Sequence, residues 1–283
     1  MAATEIEQFW QDLISDIKNN RVVLPALPEV ALRTRKVLDS GQVNSTQIAK
    51  VISADVVLST RLLRVANSPL YRTSQQIDDI KTAVTRLGTT NVRSLVTSLA
   101  MEQLYQNKLA SPLKKRMLAQ NWEHGVHVAA LAHVLADRYT SLDPDEAMLA
   151  GLIHDIGKLP IMEYSERLPE LTSDERKFNK VLEVLHSRVG GLILKAWKFP
   201  DELVNVAAEH ENLQRDENTD ADYTDVVLIA NLLSYIGTEH PFTKLDWSEI
   251  PAFRRLALTP EESIDVIKDA REEITEVKRL FAV

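Results

Sequence analysis

Residues 143–158 read DPDEAMLAGLIHDIGK. Asp143 suits a helix cap, Pro144 suits a first helical position where its missing N–H has no partner anyway, and Asp145 and Glu146 meet the positive end of the helix dipole. The spacing predicts a helix running to about Ile156, with Gly157 as its C-terminal stop. His154 and Asp155 interrupt its apolar run. A carboxylate set between Ile153 and Ile156 is costly to bury unless it is paired or bound to a metal. Adjacent imidazole and carboxylate groups at a helix end can both reach one ion.

The same helical spacing extends in both directions. Upstream, Met117 to Arg138 predicts a long Ala-rich helix, and Phe9, Leu13 and Ile17 recur at i, i+4, i+8. Leu24-Pro25-Ala26-Leu27-Pro28 breaks the chain, because proline disfavours helix in the residue before it. A helix then resumes and is expected to stop near Gly41. Asn44-Ser45-Thr46 offers a new cap, and further helices are expected over Asp55–Asn67, Ile80–Leu87 (stopped by Gly88) and Asn91–Leu104. Gln106 to Lys115 is more polar and reads as a junction. Downstream, Phe178–Trp197, Asp201–His210 and Asp222–Tyr235 are helical, with Gly190-Gly191 permitting close packing. Asp216 to Asp220 is a polar loop, and Pro260–Phe281 reads as one charged terminal helix. No segment alternates with period two and no internal repeat is present. The fold class is all-α, a multi-helical bundle.

Composition agrees. The chain has 283 residues, enough for a sizeable core without staples. It holds only 8 glycines and 11 prolines, fewer breakers than a turn-dense β protein needs. Cysteine is absent, which excludes disulfides, thiolate nucleophiles, Cys-ligated zinc and iron–sulfur clusters. A net charge of −8 disfavours nucleic-acid binding through a broadly basic surface. The N-terminus lacks the basic and apolar regions of a secretory signal, and the apolar runs fall far short of the ~20 residues of a membrane span. The expected location is the cytoplasm, with no membrane partner.

Seven histidines are present. His124 and His127 are spaced to share a helix face, and His133 should point elsewhere. His210 lies on the apolar side of Val206 and Ala207. His186 sits in an apolar helical run. Imidazoles from three helices and the His154–Asp155 pair form a donor set that suits zinc, iron, manganese or nickel. Lys158 is expected to satisfy the C-terminal end of the helix dipole. Val65–Tyr71 breaks a helix, with Asn67 placed to end it, and the stripe of Ile264, Ile267, Ile274, Val277 and Phe281 reads as core packing.

In its motifs the sequence resembles the HDOD family, a branch of the HD superfamily of helical metal-dependent phosphohydrolases. The likeness is carried by Leu24–Val30, Ile52–Asp55, Leu63–Pro69, Ile80–Gly88 and Asn91–Arg93. It continues through Trp122–His124, Gly151–Lys158, His186 with Val189-Gly190, Trp197–Pro200 and Glu209-His210. It covers about residues 18 to 215. The implied organisation is an N-terminal helix (1–17), an HDOD domain (18–215, divided into 18–110 and an HD-like 111–215) and a helical extension (216–283).

The resemblance implies that His124, His154, Asp155, His186 and His210 occupy metal-ligand positions. Two departures stand out. Asn231 replaces a later Asp ligand, and Glu209 stands where many relatives have a second His. The site expected is therefore degenerate or holds one divalent ion (Fe, Mn, Ni or Zn). In an active site, Asp155 would orient a water and Lys158 or Arg188 would steady developing charge. The function implied is that of a bacterial signal-transduction regulator acting through a protein partner or a nucleotide. The alternatives are a metal-dependent phosphohydrolase of a nucleotide or cyclic dinucleotide and, more weakly, a helical scaffold with no ligand.

Overall fold

Short polar side chains start half of the α-helices. Asn44, Asp55, Asp79, Ser111, Asp143 and Asp174 each accept a hydrogen bond from a backbone N–H two or three residues on, which satisfies donors that the first helical turn cannot pair internally. The computed structural model describes residues 3–19, 21–40, 44–71, 75–106, 110–216 and 219–282. Gly41 and part of the polar stretches at 106–115 and 216–220 lie outside the described residues.

The first half comprises α1 (Ala3–Lys18), α2 (Glu29–Leu38), α3 (Ser45–Ser53), α4 (Val56–Ala66), α5 (Ile80–Leu87) and α6 (Thr89–Met101), followed by a 3-10 turn at Glu102–Tyr105. The middle comprises α7 (Pro112–Tyr139), α8 (Pro144–Ile153), α9 (Lys158–Ser165), α10 (Pro169–Thr172), α11 (Glu175–Ala196) and α12 (Asp201–Glu209). Then follow α13 (Tyr223–Ser234), 3-10 turns at Pro241–Lys244 and Trp247–Glu249, α14 (Pro251–Arg255), α15 (Pro260–Asp269) and α16 (Arg271–Leu280). No strand occurs among the described residues, and none of their helices is long and apolar enough to cross a membrane.

The long helix α7 is the axis of the molecule, with α8, α13 and α16 packed along it. The crossing with α8 is close because both helices present small residues: a Cβ on Gly151 would lie 2.8 Å from the Cα of Ala129. Every residue of α13 from Tyr223 to Leu233 is buried, as expected for a helix apolar on all sides that sits inside the core. One buried apolar cluster runs from Ile6 to Phe281. The C-terminal segment returns to the rest of the chain, with Phe281 edge-on to Trp122 at 6.0 Å and Arg138 paired with Glu273 at 2.9 Å.

Asn67 ends α4 and also acts as a clasp. Its Nδ2 donates to the Leu63 and Ile77 carbonyls, and its Oδ1 accepts from the Ile77 N–H.

Three sequence expectations change. The helix opened by Asp143 ends at Ile153, not Ile156, and residues 154–157 form a turn before α9. Gly157 is no left-handed stop: its φ is −66°. It is small because α11 crosses directly over it, where a Cβ would lie 1.9 Å from the His186 carbonyl oxygen and 2.5 Å from the Gly190 nitrogen. The terminal helix is two helices that meet at Ala270. Val266, Ala270 and Ile274 are all buried at i, i+4 spacing, so the apolar pattern runs through the break without a glycine or proline to mark it.

Candidate metal centre

Four elements deliver imidazoles to one point. His124 comes from the middle of α7, His154 from the turn after α8, His186 from the middle of α11 and His210 from the end of α12. The Gly157 contact brings the His154–Lys158 turn and α11 together without an intervening side chain. His154, Asp155, His186 and His210 are buried, and the His124 side chain is 19% exposed.

Asp155 is the hub, and its two oxygens face different partners. Oδ1 lies 3.3 Å from His186 Nε2 and 3.7 Å from His210 Nε2. Oδ2 lies 3.4 Å from His154 Nε2 and 3.7 Å from His124 Nε2, and it takes the Lys158 ammonium as an ion-pair partner. The cluster therefore consists of two triads, His124–His154–Asp155 and Asp155–His186–His210, each with its donor atoms within 4.8 Å of one another.

The protons can be placed by bonding logic. His186 Nδ1 is 2.8 Å from the Leu182 carbonyl, His210 Nδ1 is 3.1 Å from that of Val206, and His154 Nδ1 is 2.6 Å from that of Gly151. A carbonyl only accepts, so each of these Nδ1 atoms carries a proton, and in the neutral ring Nε2 is a lone pair. Yet His186 Nε2 and His210 Nε2 face each other at 3.2 Å. Two lone pairs at that distance repel unless a metal ion or a shared proton lies between them; the Ser187 hydroxyl, 3.3 Å from His186 Nε2, is the one neutral donor beside them among the described residues. On the other side, His154 Nε2 lies 3.2 Å from His124 Nε2, and a proton on His124 Nε2 is enough to make that contact a hydrogen bond.

Burial dominates the ionisation of the cluster. It pushes His124 down to about 3, lowers His154 and holds His210 well below the usual imidazole range, with His154 and His186 adding to the effect. Burial alone would raise the Asp155 carboxyl. The Lys158 ammonium and the neighbouring imidazoles outweigh it and keep Asp155 far below its ordinary value. Lys158 opens α9, at the positive end of that helix, so its partner is Asp155 and not a helix C-terminus.

A cleft of about 660 Å³ opens onto the cluster and reaches His124, Lys158, His186 and Glu211. Its aromatic wall is a ladder. Tyr235 stacks on His124 with centroids 5.3 Å apart and on His240 at 3.7 Å, and Phe242 meets His240 edge-on at 4.8 Å. Sequence reasoning missed Glu211, Tyr235 and His240. The only available signal for Glu211 was its place directly after His210; the other two lie past the end of an apolar helix, and no spacing rule selects them.

Other candidates lie elsewhere. Arg188 covers the Trp10 ring at 4.0 Å and approaches Glu7 at 3.5 Å; it faces α1 and cannot serve the cluster. His127, pushed down to about 4 by burial and by Lys278, faces α16, so it does not join His124 at the site. His133 lies between Asp145 at 3.9 Å and Glu273 at 3.7 Å. Glu209 accepts from Asn212 at 2.9 Å. Asn231 is buried one turn before Tyr235 on α13, and its Oδ1 has no hydrogen-bond donor among the described residues.

After His210 the chain is fastened by a second polar cluster. Asp225 Oδ1 takes Arg215 at 2.6 Å and Arg255 at 2.7 Å, and its Oδ2 takes Arg255 Nε at 2.8 Å. Arg215 also pairs with both oxygens of Asp222.

Comparison with known proteins bears on the family and the fold. The HDOD domain profile matches residues 24–213. A crystal structure from Shewanella amazonensis SB2B, provisionally named a metal-dependent phosphohydrolase, is 27% identical with a TM-score of 0.83, and the alignment covers 99% of this chain and 100% of that one. An HDOD domain protein of unknown function from Geobacter sulfurreducens shares the fold, with a TM-score of 0.70 at 21% identity over 96% of this chain and 98% of that one. An uncharacterized protein of Treponema pallidum (strain Nichols) is 25% identical over 260 residues, 88% of this chain and 50% of that protein. The chain thus spans about half the length of that curated relative.

Proposed function

This chain belongs to the HDOD family, and from that premise we propose that it is a cytoplasmic, bacterial signal-transduction regulator. In this proposal it holds one divalent transition ion (Fe, Mn, Ni or Zn), binds a nucleotide through its phosphate, and passes its ligand state to a protein partner. The observation that carries the proposal is the 3.2 Å approach of the His186 and His210 Nε2 lone pairs beside Asp155 Oδ1. Those three residues fit an ion through two neutral imidazoles and a carboxylate. The backbone carbonyls on Nδ1 fix ring orientation and tautomer, as they commonly do behind metal-ligating histidines. Asp155 Oδ2 is neutralised by Lys158 and flanked by His124 and His154, which favours one ion over two.

When bound, such an ion supplies Lewis acidity towards phosphoryl oxygens and lowers the pKa of water. The chain's own groups complete the pocket. Lys158 lines the cleft and presents an ammonium to a phosphate, and the Tyr235–His240 ladder walls the cleft beside it.

A second function, metal-dependent phosphohydrolysis of a nucleotide or cyclic dinucleotide, is favoured by Lys158 lining the cleft with the buried Asp155 directly behind it. There Asp155 would orient the attacking water and Lys158 would balance charge developing on the phosphate. The likeness to the Shewanella amazonensis protein supports the same function.

The experiment loads the full chain with Mn, Fe, Ni, Zn or Mg and tests phosphomonoesters, phosphodiesters and cyclic dinucleotides for binding and turnover. Metal-dependent, saturable nucleotide binding without turnover supports the regulator. Turnover abolished by Asp155→Ala supports the hydrolase. Failure to bind either metal or nucleotide defeats both.

A further inference from the structure

Asn121 sits in the middle of α7, three residues before His124, and so shares that residue's side of the helix. It is only 6% exposed and lines the cleft that leads to the cluster. Its Nδ2 has no hydrogen-bond partner among the described residues. Asn67 shows what a structural amide looks like in this chain: both of its ends are bonded, to Leu63 and Ile77. Asparagine is also a poor helix former, because its side chain competes for backbone groups. A buried amide with an unpaired donor in mid-helix lowers stability, so the fold gains nothing from it.

The rest of the cleft defines what such an amide can serve. Its volume of about 660 Å³ is that of a small-molecule site, and a phosphate beside Lys158 fills only a small part of it. The remaining wall is soft and apolar, with Met117, Met162 and Phe242 in it, and Asn121 is the buried amide among them. Such a wall suits the faces of a planar ring, and an amide suits the polar edge of that ring. Those are the two ways in which proteins recognise a nucleobase. The terminal torsion of an asparagine is soft, so a half-turn of the group offers the cleft either a donor or an acceptor.

We infer that Asn121 reads the base of the bound nucleotide, as a specificity residue outside the metal centre. This rests on the nucleotide binding proposed above, and the test separates the two claims. The full chain, stripped with chelator and reloaded with Co(II), is titrated by calorimetry with AMP, GMP, CMP, UMP, a cyclic dinucleotide and ribose 5-phosphate, which has the phosphate but no base. The wild type should bind at least one of the nucleotides more tightly than ribose 5-phosphate, by about tenfold. Asn121→Ala and Asn121→Leu should each weaken that nucleotide about tenfold, the first without filling the cleft and the second without emptying it. Neither should change the affinity for Co(II) or for ribose 5-phosphate. Thermal unfolding without ligand gives a second readout: since the fold loses no hydrogen bond of Nδ2, both variants should melt no lower than the wild type. Unchanged nucleotide affinity in Asn121→Ala would overturn the inference and leave nucleotide binding intact. Melting midpoints lowered in both variants would give the amide a structural role and overturn it too. A wild type that binds ribose 5-phosphate as tightly as every nucleotide would overturn the reading of the base while phosphate binding stands. A wild type that binds none of these ligands would overturn nucleotide binding and the role of Asn121 together.

Discussion

Two buried polar clusters lie at the two ends of the segment from His210 to Asp225, and they differ in how their bonds balance. Around Asp225 every carboxylate oxygen meets a guanidinium nitrogen, and Arg215 is shared with Asp222. Nothing is left over, so this cluster fastens the chain. Around Asp155 the count fails: His186 and His210 turn lone pairs towards each other, and a cleft leads to the spot. Burial and charge are common to both. An unbalanced inventory of donors and acceptors marks the second as a place for a ligand.

The comparison breaks first at Asp225. Asp225→Ala removes the buried carboxylate that two buried guanidinium groups share, leaving Arg215 with Asp222 and Arg255 with Asp216, and should cost about 3 kcal/mol in urea unfolding, with little change in metal affinity if the variant is folded. At the other cluster the pattern should invert. His210→Ala should lower Co(II) affinity by about 100-fold or more, while the metal-free protein loses much less stability than with Asp225→Ala.

Gly157→Ala sharpens the contrast by moving a ligand without removing one. Its Cβ would press on the His186 carbonyl at 1.9 Å, which should cost about 1–3 kcal/mol, as overpacking usually does. It should also weaken Co(II) binding as α11 shifts.

The smallest effect is a pH slope. His127 has a folded pKa near 4, below the ordinary value of about 6.5, so between these values the unfolded chain binds the extra proton. Stability therefore falls as pH drops from about 6.5 to about 4. His127→Gln should flatten that part of the slope, measured as urea midpoints at pH 7 and pH 5 in chelator. His124, depressed to about 3, adds to the same loss, whereas Asp145, raised to about 6 by burial, opposes it. An unchanged slope in His127→Gln would show that His127 titrates normally.

Much of the helical framework could be read from Asp and Asn caps and from apolar spacing, because both act within a few residues. The histidines and Asp155 stood out because they interrupt apolar runs. What escaped depends on contacts between distant elements. Arg188 has the charge expected of a phosphate ligand, but its face of α11 looks onto Trp10. Glu211 and the Tyr235–His240 stack follow from where loops return, and local periodicity carries no record of that. The turn at His154–Gly157 was hidden for the same reason: a glycine that admits a crossing helix looks in sequence like one that ends a helix.

The central claim is that the His186–His210–Asp155 group holds one divalent ion. Its most direct test is a metal titration of the stripped full chain, read as ions bound per chain. One ion, lost in His210→Ala, is the predicted result. No ion, with a proton shared between His186 and His210 detected by nuclear magnetic resonance, would contradict the claim, and so would two ions of comparable affinity.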